Sequence, residues 1–249
     1  MPVRVEREGR VLVVEIQREE KRNAIDPEIT AGVDAALNDL EDDPELWVGI
    51  ITGGPSMFSA GSDLRLTGGE PTARGGEYGV IRREHQKPLI AAVEGLALGG
   101  GMEIVLACDL VVASRSATFG LPEIKRGLFA LYGGVFRATR ALPLNIAKEI
   151  VLTGDAITAE RAASFGFVNV LCENGEALAE AKKLAARIVV NAPVSVRESL
   201  RVVERTIGAF DDLAWEATKD AARVVWASDD SREGRKAFLE KRDPIWRNR

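Results

Sequence analysis

Two acids stand where the sequence around them is apolar. Glu103 falls in Met102-Glu-Ile-Val-Leu-Ala107, in the first turn of a helix that opens behind Gly99-Gly-Gly101. An acid in a first turn suits the helix dipole. Its apolar neighbours also point to burial, and burial raises a carboxyl pKa. Glu123 follows Pro122 in Phe119-Gly-Leu-Pro-Glu-Ile-Lys-Arg126, again among apolar residues. The plain alternative for this acid is a salt bridge with Lys125 or Arg126. Gly99-Gly-Gly101 lies between a strand pattern and a helix pattern. Glycine there lets backbone approach a ligand, and a helix start offers unpaired N–H groups and a positive dipole end. An oxyanion hole or anion site follows, with tight helix–strand packing as the alternative. The run fails the dinucleotide fingerprint, because position 104 is Ile rather than Gly. Ser59-Ala-Gly-Ser-Asp63 is a small-residue turn that could present a second amide, or simply be a loop capped by Asp63.

Other chemistries lack their residues. The chain has one histidine and two cysteines, Cys108 and Cys172. That assembles no zinc site of the usual kind. A hydrolytic triad would need His85 as its base, yet His85 sits in the charged run Arg82-Arg-Glu-His-Gln-Lys87, which reads as a solvated helix face. No Gly-x-Ser-x-Gly elbow and no Walker pattern are present. Carboxylates remain for acid–base work, and backbone amides for electrostatic work.

These groups must be positioned by alternating elements. Residues 11–16 are β-branched and apolar and read as a strand. Asp26-Pro27-Glu28 starts a helix that runs to about residue 40. Strands follow at 47–52, 89–93, 109–113, 117–119 and 168–171. Residues 67–79 hold five glycines and few apolar groups, and read as a mobile loop. From Gly133 on, helical patterns dominate, with 3.6-residue periodicity over 176–190, 194–210, 213–226 and 231–241. The expected architecture is an α/β core over residues 1–190 and a helical C-terminal region over 191–249.

Composition narrows the class further. In 249 residues, 33 Lys+Arg stand against 38 Asp+Glu, a net charge of −5. An acidic chain disfavours general nucleic-acid binding. No uncharged apolar run nears the ~20 residues of a spanning helix, and the N-terminus lacks the apolar h-region of a signal peptide. Two isolated cysteines point to a reducing compartment. A cytoplasmic protein is expected, without membrane or nucleic-acid partners.

The motifs gain weight as an ordered set. Ala60-Gly-Ser-Asp63, Gly95-x3-Gly-Gly-Gly-x-Glu103, Asp109, Phe119-Gly-x-Pro-Glu123 and Leu152-Thr-Gly-Asp155 together resemble the crotonase (enoyl-CoA hydratase/isomerase) superfamily, over roughly residues 11–243. The resemblance implies a spiral of ββα turns with a C-terminal helical region that makes homotrimers, often paired into homohexamers. It implies an oxyanion hole from the N–H groups of Ser62 and Gly100, holding the thioester oxygen of an acyl-CoA. It assigns Glu103 to deprotonating a water and Glu123 to protonating C2 of a 2-enoyl-CoA. Coenzyme A is then part of the substrate, and no metal or redox cofactor is needed. CoA contacts are expected from Ala60, Asp63, Leu64 and Arg65, with Arg22, Lys21 and Lys241 as further basic candidates.

One segment departs from the family pattern. After Gly127 the family commonly reads x-x-Pro-Gly-x-Gly-Gly, whereas this chain reads Leu128-Phe-Ala-Leu-Tyr-Gly-Gly134. Phe129, Leu131 and Tyr132 should reshape the acyl pocket, or else turn away into the core. Δ3–Δ2 enoyl-CoA isomerisation or a related dehydration is the alternative reaction. A weakly catalytic CoA-ester or RNA-binding protein is the alternative outside catalysis. Trp215, Trp226 and Phe238 on helical faces point to self-association.

Overall fold

The computed structural model describes residues 2–63 and 65–247. The first hairpin pairs β1 (Val3–Glu8) antiparallel with β2 (Val11–Ile16). Helix α1 (Pro27–Asp42) starts as its sequence dictates: the Asp26 side chain accepts from the Ile29 amide, and Pro27 takes the first turn. β3 (Val48–Thr52), β4 (Leu89–Val93) and β5 (Leu96–Leu98) follow, then α2 (Gly100–Leu106), β6 (Leu110–Ser114) and β7 (Thr118–Gly120). Helices α3 (Gly134–Ala141) and α4 (Leu144–Thr153), strand β8 (Ile157–Thr158), helix α5 (Ala159–Ser164) and β9 (Val170–Cys172) complete the sheets. The remainder is helical: α6 (Ala177–Val189), α7 (Pro193–Ile207), α8 (Asp211–Ala227) and α9 (Asp229–Glu240).

The larger sheet runs β1-β2-β3-β4-β6-β9, parallel beyond its first pair. Its central strands are buried on both faces, which is why they read as unbroken apolar runs. Alternation still sorts the side chains. Val14, Ile51, Ala91 and Val111 face one core together with α1. Val13, Ile50, Ile90 and Val112 face the other, where Ala177, Ala181 and Ala185 bring α6 close. The smaller sheet runs β5-β7-β8. Its first strand, β5, follows β4 closely, and Gly99, whose amide donates to the Gly120 carbonyl, leads from β5 into α2. Among the described residues, no helix is long and apolar enough to cross a membrane.

Two expectations change here. Residues 82–87 form no helix, and only Arg82, Glu84 and Gln86 are exposed, while Arg83, His85 and Lys87 turn inward. Arg83 is buried and paired with Asp34 at 2.6 Å. The Lys87 ammonium donates to the carbonyls of Leu40 and Asp43, at 2.6 and 2.7 Å. It thereby satisfies the open C-terminal end of α1. His85 is 8% exposed at its side chain, with Nε2 3.1 Å from Asp109. Burial opposes charge on the ring, but the Asp109 carboxylate outweighs it and raises the pKa. Asp109 also accepts from the Leu89 amide, so the pair fixes the start of β4. The glycine-rich stretch 67–79 is the loop expected, with Thr67, Glu70, Pro71, Ala73 and Arg74 exposed, but its end is packed. It forms a short turn (Glu77–Gly79) against α1, with Tyr78 2% exposed.

Candidate active site

The two small-residue turns meet backbone to backbone. Ile25 donates to the Gly61 carbonyl and Asp63 donates to the Ile25 carbonyl, which pins the 60–63 turn beside α1. Gly61 has φ +95, and a Cβ on it would stand 2.9 Å from the Gly100 nitrogen. Only glycine permits that approach. It brings Ser62 beside the first turn of α2. Among the described residues, the N–H groups of Ser62 and Gly100 meet no protein acceptor. Gly100 is the first residue of its helix, where N–H groups have no intrahelical partner.

These amides belong to a cavity of about 120 Å³, lined among others by Ala60, Ser62, Gly100, Glu103, Glu123, Phe129, Leu131 and Tyr132. Glu103 is 2% exposed. Its Oε1 accepts from the amides of Tyr132 at 2.7 Å and Gly134 at 3.1 Å. Burial pushes its pKa up, and the charge of Glu123 pushes the same way. Glu123 is raised chiefly by burial. Its Oε2 is buried without a hydrogen-bond partner among the described residues. The salt-bridge alternative for Glu123 fails: Lys125 pairs with Asp155 at 2.5 Å, and the Arg126 guanidinium lies over the Phe238 ring at 4.4 Å. The two acids differ in their hydrogen bonds. Two N–H donors oppose the rise at Glu103, while Oε2 of Glu123 has no partner among the described residues; burial still holds both pKa values above the ordinary range, that of Glu103 no less than that of Glu123, so the protons belong to the pair.

Three bulky residues of the departing segment, Phe129, Leu131 and Tyr132, line this cavity, while Ala130 turns into the core at 5% exposure. Two lining residues escaped the sequence reading. Tyr78 was hidden by its glycine-rich surroundings, and Trp226 reaches the cavity from α8, which no local pattern reveals. The basic candidates lie outside the cavity lining. Arg22 and Arg65 are exposed, and the Arg22 carbonyl accepts from the Ala60 amide. Lys21 is exposed beside Arg22, and Lys241 is exposed at the left-handed end of α9. The Asp63 carboxylate is committed to Arg18 and to the amides of Arg65 and Leu66, so its side chain anchors the turn. Leu64 lies outside the described residues. A wider cleft of about 690 Å³ between α7 and the core holds His85, Asp109 and Glu204, but neither glycine turn. No group of three His, Cys, Asp or Glu among the described residues could hold a metal.

A family profile described as Enoyl-CoA hydratase/isomerase matches residues 6–249. The chain belongs to that family. It is 36% identical to the short-chain-enoyl-CoA hydratase of Clostridium acetobutylicum over 246 residues, covering 96% of this chain and 94% of that protein. It is also 36% identical to the carnitinyl-CoA dehydratase of Salmonella heidelberg over 254 residues, with 98% and 97% coverage. The crystal structure of carnitinyl-CoA hydratase from Mycobacterium avium superposes with a TM-score of 0.94 at 42% identity, covering 100% of this chain and 99% of that one. The fold is thus the crotonase-like α/β fold with a helical C-terminal region.

The two acids of this cavity carry a stability penalty with a defined sign. A carboxyl whose folded pKa is raised stabilises the fold fully below its unfolded pKa, about 4.3 for Glu, and loses that contribution as pH rises through the folded value. Glu123→Gln removes this loss. Thermal melts should show the variant gaining on the wild type between pH 5 and pH 8. A gap that stays constant with pH would mean that Glu123 ionises as freely in the folded chain as in the unfolded one.

Proposed function

We propose that the protein is an enoyl-CoA hydratase, adding water across the C2–C3 double bond of a 2-enoyl-CoA thioester. The observation that carries the reading is one cavity lined by two amides without a protein acceptor among the described residues and by two acids, Glu103 buried and Glu123 half-buried with one buried oxygen. The amides of Ser62 and Gly100 hold the thioester oxygen. Glu103 and Glu123 hold one water. The water oxygen bonds to C3 and gives a proton to Glu103. The C2–C3 π pair moves toward the carbonyl, and the enolate oxygen rests on the two amides. Glu123 then donates its proton to C2 as the carbonyl re-forms. The proton left on Glu103 returns to Glu123 within the coupled pair. The substrate brings its own coenzyme A, so the chemistry calls on no metal or redox cofactor. The names of the relatives, a short-chain-enoyl-CoA hydratase and a carnitinyl-CoA dehydratase, support a CoA thioester as the ligand class.

Around this centre, the backbone near Ala60 suits the adenine, and Arg65, Arg22 and Lys21 are placed by sequence to meet CoA phosphates. Lys241 is a further candidate, reaching CoA across a subunit contact. Residues 191–249 serve self-association into a homotrimer or homohexamer. Val203, Phe210, Leu213, Val224 and Leu239 are all at least half exposed, which supports that role. Trp215 does not contribute, because it is buried against Phe136 and under Arg82. Sedimentation at micromolar concentration should give a trimer or larger, and a stable monomer would refute it.

The reaction is tested through the acids. Glu123→Gln and Glu103→Gln should each cut kcat for hydration by about 10²–10⁴-fold, with acyl-CoA affinity nearly intact. Following the absorbance of the conjugated thioester over a panel of enoyl-CoA substrates measures this. Hydration at the wild-type rate by either variant rejects the two-acid mechanism. Double-bond migration that survives Glu103→Gln would favour the isomerase.

Substrate choice is tested at Leu131. Leu131→Gly enlarges the cavity beside the acids, and each methylene of fit is worth about 1–3 kcal/mol. The order of preference among acyl chains should shift while CoA binding holds. An unchanged order with a large drop in melting temperature would assign Leu131 to packing instead.

A further inference from the structure

Tyr78 is the most deeply buried of the polar side chains in the cavity lining to which the mechanism above gives no task, the others being Ser62, Arg126, Tyr132 and Trp226. Its backbone is left-handed at φ +54, a costly conformation for a bulky residue that the surroundings must enforce. The enforcement is visible. The ring packs edge-on against Tyr132 with centroids 4.9 Å apart, and a Cβ on Gly68 would stand 2.5 Å from its ring carbon. The hydroxyl that this geometry holds in place has two neighbours. It hydrogen-bonds the Ser62 hydroxyl, and it lies 2.5 Å from where a Cβ on Gly100 would be. Ser62 and Gly100 are the residues whose amides, without a protein acceptor among the described residues, were assigned above to the thioester oxygen. The phenol thus lies between the side chain of one and the Cα of the other.

Counting protons shows what this arrangement leaves over. Two hydroxyls carry two protons, and one is used in the bond between them. Neither hydroxyl has another protein partner among the described residues. One O–H therefore remains to be satisfied beside the two amides. Burial and the charge of Glu103 push the Tyr78 pKa well above its ordinary value, so the phenol keeps its proton.

We propose that Tyr78 is a third donor to the thioester oxygen: Ser62 Oγ donates to Tyr78 Oη, and Tyr78 Oη donates into the hole formed by the amides of Ser62 and Gly100. The proposal rests on the acyl-CoA reading of the site. The serine hydroxyl behind the phenol polarises it and strengthens its outward bond. A donor wedged between Gly68 and Tyr132 needs no reorganisation when charge develops on the oxygen, which is the condition for electrostatic catalysis. The third bond also fixes the thioester plane, because three donors around one oxygen leave it little freedom to rotate.

The test uses butanoyl-CoA labelled with ¹³C at the thioester carbonyl, a saturated ligand that the enzyme cannot hydrate. On binding to the wild type, the isotope-edited carbonyl stretch should fall to lower frequency. In Tyr78→Phe a clear part of that fall should be lost, and kcat for hydration should drop on the order of 10²-fold with little change in butanoyl-CoA affinity. In Ser62→Ala, which keeps the amide and the phenol, most of the fall should persist. A wild-type carbonyl shift in Tyr78→Phe overturns the proposal and leaves the two-amide hole standing. Loss of the shift in Ser62→Ala but not in Tyr78→Phe also overturns it, and makes Ser62 the outward donor. A wild-type protein that binds the ligand without any carbonyl shift refutes the hole itself, and Tyr78 with it. Matching melting temperatures for the wild type and Tyr78→Phe exclude a packing explanation for the loss.

Discussion

The close approach of two backbones governs this molecule. At Gly61 the 60–63 turn comes so near the start of α2 that a methyl group would strike the Gly100 nitrogen. Everything reactive is referred to that contact. It sets Ser62 and Gly100 side by side, and it fixes where Glu103 lies, because Glu103 is one turn further along the same helix. The sheets exist to make the approach reproducible. β3 delivers the chain to the first turn and β4 with β5 delivers it to the second, and these strands are buried and in register with one another or with bridging residues. A shift of one residue in that register would exchange the faces of β4. The amides would then no longer share a cavity.

The acids exert the opposing force. Burying two carboxyls beside each other costs stability in whichever state they are charged. The fold offsets this unevenly. Glu103 receives two amide donors from the segment after Gly127, and Glu123 receives none at its buried oxygen. The motif Leu152-Thr-Gly-Asp155 belongs to the same support. Asp155 holds Lys125, and Gly154 lies within packing distance of Lys125 and Ile124, so the turn carrying Glu123 is clamped from behind. The motif's role is to keep an acid in an uncomfortable place.

Much of this was legible in sequence where local physics decides the outcome. The Asp26-Pro27 helix start, the apolar strands and the C-terminal periodicities appear where propensity and pattern put them, within a residue or two. The pair Glu103 and Glu123 was legible for the same reason, as acids in apolar runs. The failures share a cause. His85, Arg83 and Lys87 look solvated in a charged hexapeptide, yet each finds its partner some 20–50 residues away in sequence, on Asp109, Asp34 and the end of α1. Tyr78 looks like part of a glycine-rich loop. Its burial depends on glycines that admit the ring, a property of their neighbours in space and not of the loop's composition. Trp226 reaches the cavity from a helix more than a hundred residues away in sequence. Long-range partners leave no periodic trace.

The departure at Phe129, Ala130, Leu131 and Tyr132 follows from the same constraint. The Tyr132 amide is needed by Glu103, so the backbone there is not free to change. The side chains have more latitude: Phe129 and Leu131 line the cavity, as does Tyr132, which also packs against the core, and Ala130 is buried in the core. Selection can therefore enlarge Leu131 and Tyr132 without disturbing the acid they surround. The result is a cavity walled largely by aromatic and apolar side chains, Tyr78, Phe129, Leu131, Tyr132 and Trp226, with Arg126 as the charged residue of the wall. Lower local polarity strengthens every interaction of an amide or a hydroxyl with developing charge. It also raises the cost of keeping Glu103 ionised. A pocket of this composition thus gains electrostatic leverage on the thioester oxygen, and the same burial works against the charge that Glu103 needs as a base.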